Sequence, residues 1–187
     1  ALFVLVGLLI ADLAPVSAWA EVQTLANPAS PAPLTVVTRQ IEDYMRGVKT
    51  VKSRFVQTAP DGTQRIGTFF LDRPGKMRFE YDLPVRDLVV ADGVQLFYYD
   101  GELKQTASAP VGQTLADFIL RKNIKLSGDV RVTRVQEGAG LIQVTLTQTA
   151  DPGAGTMTLG FTQKPFALKK WRITDGTGQI TEVELFD

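Results

Sequence analysis

The chain has 187 residues, with 20 lysines and arginines balanced by 20 aspartates and glutamates, and it contains no histidine and no cysteine. It therefore cannot form a Ser-His-Asp or Cys-His catalytic site, a disulfide framework or a zinc or iron–sulfur site built on those residues. Zero net charge argues against nucleic-acid binding, which normally requires a basic surface. Two classes remain: a carboxylate or lysine enzyme, and a binding protein without chemistry of its own.

Residues 1–20 have the pattern of a secretory signal peptide. Residues 1–10 read ALFVLVGLLI, and Ala-Trp-Ala at 18–20 places small residues where a signal peptidase cleaves. A transmembrane anchor is the alternative, but Asp12 and Pro15 leave only about ten apolar residues, against the ~20 that span a bilayer. We expect cleavage after the triplet and export to the periplasm. The segment has no initiating methionine and no basic start, so we expect its beginning to be missing.

After a flexible Pro/Ala-rich lead-in at 21–33, residues 34–187 are predicted to form one domain, which begins with an amphipathic helix over 34–46. Its apolar residues recur at helical spacing, and Gly47 is a plausible stop. The residues of this stripe are Val37, Ile41, Tyr44, Met45 and Val48.

Beyond the helix, Asp-Gly and Pro-Gly turn signals separate short runs rich in aromatic and β-branched residues. They predict about eleven strands, near 51–58, 64–72, 76–82, 87–91, 94–99, 102–108, 129–136, 141–148, 156–162, 167–174 and 179–186. Short strands about ten residues apart are typical of an antiparallel sheet wound by meanders.

A second short helix is predicted between the strands ending near 108 and starting near 129. Thr114 and Asp117 have the spacing of a capping box, and Leu115, Phe118 and Ile119 share one helix face. Two short helices cannot cover both faces of so long a sheet, so we expect the sheet to curl around them.

The apolar strand residues are the first candidates for function. They form either a plain hydrophobic core or the wall of a cleft, which the helices fill until a ligand displaces them. The apolar strand residues considered for this cleft are Phe55, Phe69, Phe70, Leu71, Met77, Phe79, Leu96, Phe97, Tyr98, Met157, Leu159, Phe161, Trp171 and Ile173. The nine candidates for the wall of an acyl cavity are Phe55, Phe69, Leu71, Met77, Phe79, Tyr81, Leu96, Tyr98 and Trp171.

Two groups of charged residues have competing interpretations. Glu80 and Asp82 share a strand face, which suits general acid/base work, but the alternation around them favours a solvated sheet face. The basic residues at 164–172 flank Trp171 and could contact a phosphate or lipid headgroup. A charged edge strand is the favoured alternative, since lysines at an edge discourage aggregation.

Arg73 is the most informative polar residue. Arg73-Pro74-Gly75-Lys76 predicts a type II turn, and strand alternation places Arg73 at the rim of an apolar face. Its guanidinium either extends into water or donates to carbonyls of the segment that covers the cleft. The sequence pattern alone leaves both open.

Residues 67–105 resemble the periplasmic outer-membrane lipoprotein carrier family, LolA. The matching features are Arg73-Pro74 at a strand end, the aromatic returning strand, Pro84, Asp92-Gly93 and the strand from 96 to 100. The predicted first helix followed by Phe-Val-Gln-Thr at 55–58 also fits the family's opening. The resemblance covers most of 34–187 and is strongest over 54–105.

This resemblance implies a mainly β (α+β) fold: an unclosed antiparallel β-barrel with amphipathic helices as a lid over a hydrophobic cavity. Such proteins are monomeric chaperones rather than enzymes and use no cofactor. They take lipoproteins from an inner-membrane ABC transporter, bind the acyl chains and deliver them to an outer-membrane acceptor.

In this family the arginine matching Arg73 acts as a latch that bonds lid carbonyls, and the lid here is predicted to present Leu115, Phe118 and Ile119. Relatives often have Phe where this chain has Met77, so Met77 could serve the cavity or a transporter contact. The rivals are a lipid-sensing envelope stress regulator of related fold, a generic periplasmic lipid-binding protein and a carboxylate hydrolase.

Overall fold

The computed structural model describes residues 34–186, so the predicted signal peptide and lead-in lie outside the described residues. Helix α1 (Leu34–Gly47) comes first, and a short helix α2 (Asp117–Leu120) follows the sixth strand. Neither is long and apolar enough to cross a bilayer. Within 34–186 there are eleven strands: β1 Thr50–Thr58, β2 Gln64–Asp72, β3 Lys76–Tyr81, β4 Leu88–Asp92, β5 Gln95–Asp100, β6 Gln105–Pro110, β7 Val130–Gly138, β8 Leu141–Gln148, β9 Gly155–Gln163, β10 Phe166–Asp175 and β11 Ile180–Phe186.

All eleven strands form one antiparallel sheet in the order β6-β5-β4-β3-β2-β1-β11-β10-β9-β8-β7. Two meanders meet where β1 pairs with β11, with Phe55 opposite Leu185. The edge strands β6 and β7 do not pair with each other within the described chain, so the sheet is not closed. The predicted unclosed antiparallel fold with few helices is confirmed.

Ring contacts between distant strands show that the sheet is curled. Phe79 of β3 and Trp171 of β10 are four strand positions apart, which corresponds to about 19 Å along a flat sheet. Their ring centroids are nevertheless 6.1 Å apart. The inner face of the curl therefore brings β3 and β10 together, and its alternate residues form the hydrophobic core.

The chain must cross this inner face once, because β6 and β7 are consecutive in sequence but lie at opposite edges. Residues 111–129, here called the crossing segment, make this connection and contain α2. Helix α1 packs beside it, and the Glu42 carboxylate accepts a 2.7 Å hydrogen bond from the Leu126 amide. The buried side of α1 consists of Val37, Ile41 and Met45.

One local prediction was wrong. The Thr114 hydroxyl does not cap α2, because it donates instead to the Val111 carbonyl at 2.8 Å. Helix α2 then begins at Asp117 without a side-chain cap. At the turn after β2, Gly75 has the expected positive φ of 83°, and the Arg73–Pro74 peptide bond is cis.

The favoured interpretation of the basic residues near Trp171 as an edge strand was also wrong. Strand β10 lies inside the sheet, between β11 and β9. Lys170 and Arg172 project from the side opposite to Trp171, and both pair with Glu182 of β11, at 3.3 Å and 2.7 Å. Cross-strand ion pairing, rather than edge protection, explains these charges.

Gly67 allows the aromatic core beside β2 to pack. A Cβ placed there would lie 2.1 Å from the Glu80 carbonyl oxygen and 2.7 Å from Cε1 of Phe55. The Phe55 ring therefore lies over the backbone of β2, where it meets Tyr81 edge to face at a centroid distance of 5.3 Å.

We expect Gly67→Ala to lower the free energy of unfolding in urea by about 1–3 kcal/mol, because the added methyl group overpacks this site. The matched control is Gly138→Ala in β7, where an added Cβ meets nothing within 4 Å. Equal stability of the two variants would contradict this account of the packing.

Candidate ligand cavity

An apolar cavity lies between the inner face of the sheet and the crossing segment. Its volume is about 50 Å³, which leaves room for only a few water molecules. The crossing segment therefore nearly fills the space under it. The lining residues are Gln57, Phe69, Met77, Phe79, Tyr81, Ala116, Ile119, Met157, Trp171, Ile173, Thr181 and Val183.

Three aromatic rings from three different strands form the wall opposite α2. Phe69 lies 4.7 Å from Phe79 and 5.4 Å from Trp171, measured between ring centroids. Such pairs add roughly 0.5–1.5 kcal/mol each beyond the area they bury. The wall is thus held by contacts within the sheet and does not depend on α2 for its arrangement.

The structure brings five of the nine candidate wall residues together around the cavity: Phe69, Met77, Phe79, Tyr81 and Trp171. The other four do not line it. Phe55, Leu71 and Leu96 are buried in the surrounding core. Tyr98 is half-buried and its hydroxyl donates to Asp87 at 3.1 Å.

The nine wall candidates did not include Gln57 or the β11 residues Thr181 and Val183, and Met157 and Ile173 were named only in the wider set of apolar strand residues. Alternation within a strand does not reveal them, but strand pairing does: Met157 pairs with Ile173, which shares a face with Trp171, and Trp171 pairs with Val183. Gln57 lies on the same inward face of β1 as Phe55, but its side chain is polar, so a search for apolar strand residues does not select it.

The predicted lid residues occupy different depths. Phe118 and Ile119 are buried in α2, and Ile119 reaches the cavity together with Ala116. Leu115 precedes α2 and is only partly buried against the core. The single turn of α2 therefore forms the side of the cavity that faces the aromatic wall.

The Arg73 guanidinium joins α1 and the crossing segment at the rim of the sheet. Its Nη1 donates to the Met45 carbonyl and, at 3.1 Å, to that of Val48. Its Nη2 donates at 2.6 Å to the Arg121 carbonyl and at 3.4 Å to that of Lys122. Of the two sequence alternatives, the bonded arrangement is the one observed.

Neutral oxygens alone hold this cation, since within residues 34–186 no carboxylate forms an ion pair with Arg73. Burial lowers the pKa of Arg73, but guanidinium groups stay protonated in proteins. The neighbouring backbone adds a further tie, because the Gly75 amide donates to the Leu120 carbonyl at 2.8 Å.

Arg121, which supplies one of the carbonyls, is itself held by two carboxylates. Its guanidinium pairs with Asp117, one turn earlier in α2, and with Asp129 at 2.6 Å. The guanidinium also lies over the ring of Phe118. These contacts fix the end of α2 where Arg73 bonds it.

The carboxylates considered for acid/base work lie away from the cavity. Glu80 pairs with Arg78, and Asp82 pairs with Arg54, which lowers the Asp82 pKa through the hydrogen bond between them. Within the described residues, no cluster of acidic side chains is arranged to hold a metal ion.

We expect Arg73→Met to lower the free energy of unfolding by about 1.5–3 kcal/mol, the usual worth of hydrogen bonds to a charged group. Hydrogen exchange at the Leu120 and Arg121 amides should accelerate more than exchange at Leu159 in β9, because the loss is local to the crossing segment. Arg131→Met on exposed β7 is the matched control. Unchanged exchange in α2 would contradict the bonding role.

Comparison with known proteins agrees with this geometry. Residues 46–187 match the family model described as outer membrane lipoprotein carrier protein LolA. An outer-membrane lipoprotein carrier protein of Bordetella pertussis is 30% identical over 169 residues, which cover 86% of this chain and 80% of that protein. One from Dechloromonas aromatica is 29% identical over 153 residues, covering 77% and 73%.

A solved structure of a LolA superfamily protein from Nitrosomonas europaea also matches, with a TM-score of 0.41, 11% identity and coverage of 80% of this chain and 91% of that one. The family match spans most of the chain and includes the strands that carry the cavity wall and Arg73. The chain belongs to the LolA outer-membrane lipoprotein carrier family.

Proposed function

We propose that this protein is a monomeric periplasmic carrier that binds the acyl chains of lipoproteins between the aromatic wall and the crossing segment. The observation that carries the proposal is an apolar cavity under one turn of helix, with Arg73 donating to the Arg121 carbonyl just after that turn. The related proteins that are named outer-membrane lipoprotein carriers support the choice of cargo.

The small volume of the cavity fits a carrier that opens to receive its cargo. Burying hydrocarbon is worth about 0.8 kcal/mol per CH₂, so a sixteen-carbon chain offers on the order of 12 kcal/mol. A rigid preformed cavity would release such a ligand too slowly. If a chain must first displace α2, the observed affinity falls by the free energy of opening.

Arg73 sets part of that free energy. In the closed state its two Nη groups donate to carbonyls of Met45 and Val48, at the end of α1, and to carbonyls of the crossing segment, whereas its Nε has no partner among the described residues. An incoming chain moves α2 and breaks the bonds to Arg121 and Lys122, while reclosure restores them and helps expel the chain. The inner-membrane transporter would act on the opening step and an outer-membrane acceptor on the reclosing step, and no bond is made or broken in the cargo.

Carriage requires that Ile119 contact the cargo or close the cavity after its release. We expect Ile119→Glu to reduce uptake of triacylated lipoprotein from membrane vesicles containing the transporter at least tenfold, because it places a carboxylate against apolar surface. The matched control is Ile66→Glu, on the outer side of β2 and 46% exposed. Equal uptake by the two variants would contradict a cargo site under α2.

The role of Arg73 predicts a defect in delivery rather than in loading. An Arg73→Leu protein should take up lipoprotein at least as well as the unmodified protein, because opening costs less. Its transfer to an outer-membrane acceptor should fall severalfold, because reclosure no longer gains the carbonyl bonds. The two steps are measured separately in a reconstituted system, and unchanged transfer would contradict the proposal.

A further inference from the structure

A polar pair is embedded in the otherwise apolar wall of the cavity. Gln57 of β1 is only 5% exposed, and Tyr81 of β3 is 9% exposed. The Tyr81 hydroxyl donates to Gln57 Oε1 at 2.8 Å, across strand β2. Both residues line the cavity, where apolar side chains would bind plain hydrocarbon equally well. Packing alone therefore does not explain why two polar residues are found at these positions of the wall.

In the part of the chain that the structure describes, this hydrogen bond is the only one formed by the Gln57 side chain. It orients the amide, because the oxygen faces Tyr81 and the NH₂ group is left to the cavity. Because Gln57 lines the cavity, an acceptor that binds there can take up this donor, which in the empty cavity is open to water. The NH₂ hydrogens of Gln57 are donors, so a ligand that pairs with them must supply a hydrogen-bond acceptor.

The charged groups near the pair indicate whether that acceptor is an anion or a neutral group. The cation whose charge acts on Tyr81 is Arg65, and it is already paired with Asp87 at 2.6 Å. The Asp87 carboxylate also accepts from Tyr98 and from the Gly101 amide. An anionic ligand would therefore be desolvated here without a free counter-charge, which is costly. A neutral oxygen fits better.

The tyrosine adds no competing charge of its own. Burial raises the pKa of Tyr81 above its ordinary value, so the hydroxyl stays neutral and continues to donate to Gln57. Thr181 lies two residues along β11 from Val183, which pairs with Gln57, so its hydroxyl adds a third polar group to this part of the lining.

We propose that Gln57, oriented by Tyr81, recognises the carbonyl oxygen of an acyl ester or amide, and so distinguishes an acylated cargo from bare hydrocarbon. The inference rests on the proposed function, since it assigns a polar contact within the same cavity. An acyl carbonyl is a neutral acceptor that lies at the end of an apolar chain, which matches a donor set in an apolar wall.

The test compares two lipids with sixteen-carbon chains. Dipalmitoylglycerol has ester linkages, and dihexadecylglycerol has ether linkages, in which a CH₂ group replaces each carbonyl. Their dissociation constants are measured by displacement of a fluorescent fatty-acyl probe. The protein should prefer the ester about tenfold, the equivalent of roughly one good hydrogen bond. Gln57→Leu should bring the ratio of the two dissociation constants close to one, while the dissociation constant of the ether lipid changes by less than about threefold.

Tyr81→Phe keeps the ring and the Gln57 amide but removes the hydrogen bond that orients the amide. Its ratio of dissociation constants should therefore lie between those of the unmodified protein and of Gln57→Leu. Gln105→Leu, the same change at an exposed position of β6, is the matched control and should keep the full preference. An unmodified protein without preference, or a Gln57→Leu protein that retains it, would overturn the inference. Failure of both lipids to bind the unmodified protein would instead overturn the proposed function.

Discussion

Four backbone carbonyls converge on the guanidinium of Arg73, and they belong to the two segments that cover the inner face of the sheet. Carbonyls near helix ends lack intrahelical partners, so an arginine at the rim satisfies several of them at once. Because these acceptors are neutral, separating them from Arg73 strands no anion in the apolar interior. The closed state is thereby stabilised by contacts that can be broken and remade.

The position of the crossing segment follows from the strand order. Each meander starts from the central β1–β11 pair and ends at an outer edge, so β6 and β7 finish at opposite sides of the sheet. The chain between them has to pass over one face, and the inner face is the one with apolar residues to bury. A short helix over the cavity is therefore a consequence of topology, and Arg73 donates hydrogen bonds to the carbonyls that follow it.

Local chemistry predicted the strands well, because turn residues and two-residue alternation are encoded within each run. It also placed Arg73 at a rim and Phe69, Met77 and Phe79 on one face. The interior position of β10 follows from its pairing with β9 and β11, its neighbours in the predicted meander. The pairing of β1 with β11 was not predictable in this way, because it joins residues far apart in sequence. The lining residues from β11, Thr181 and Val183, were missed for that reason: alternation assigns a residue to a face, but only the strand pairing and the curl of the sheet determine which faces meet.

The cavity wall and its closure depend on different residues. Thr50, beside the Arg73 end of β1, and Gln57 are seven residues apart, which corresponds to about 23 Å of extended strand. Changes that far apart without shared partners usually contribute independently to free energy. The strength of closure can therefore vary through Arg73 without altering which ligand the wall prefers. Conversely, the polar pair can tune ligand preference while the free energy of opening stays the same, which suits a carrier that must release what it selects.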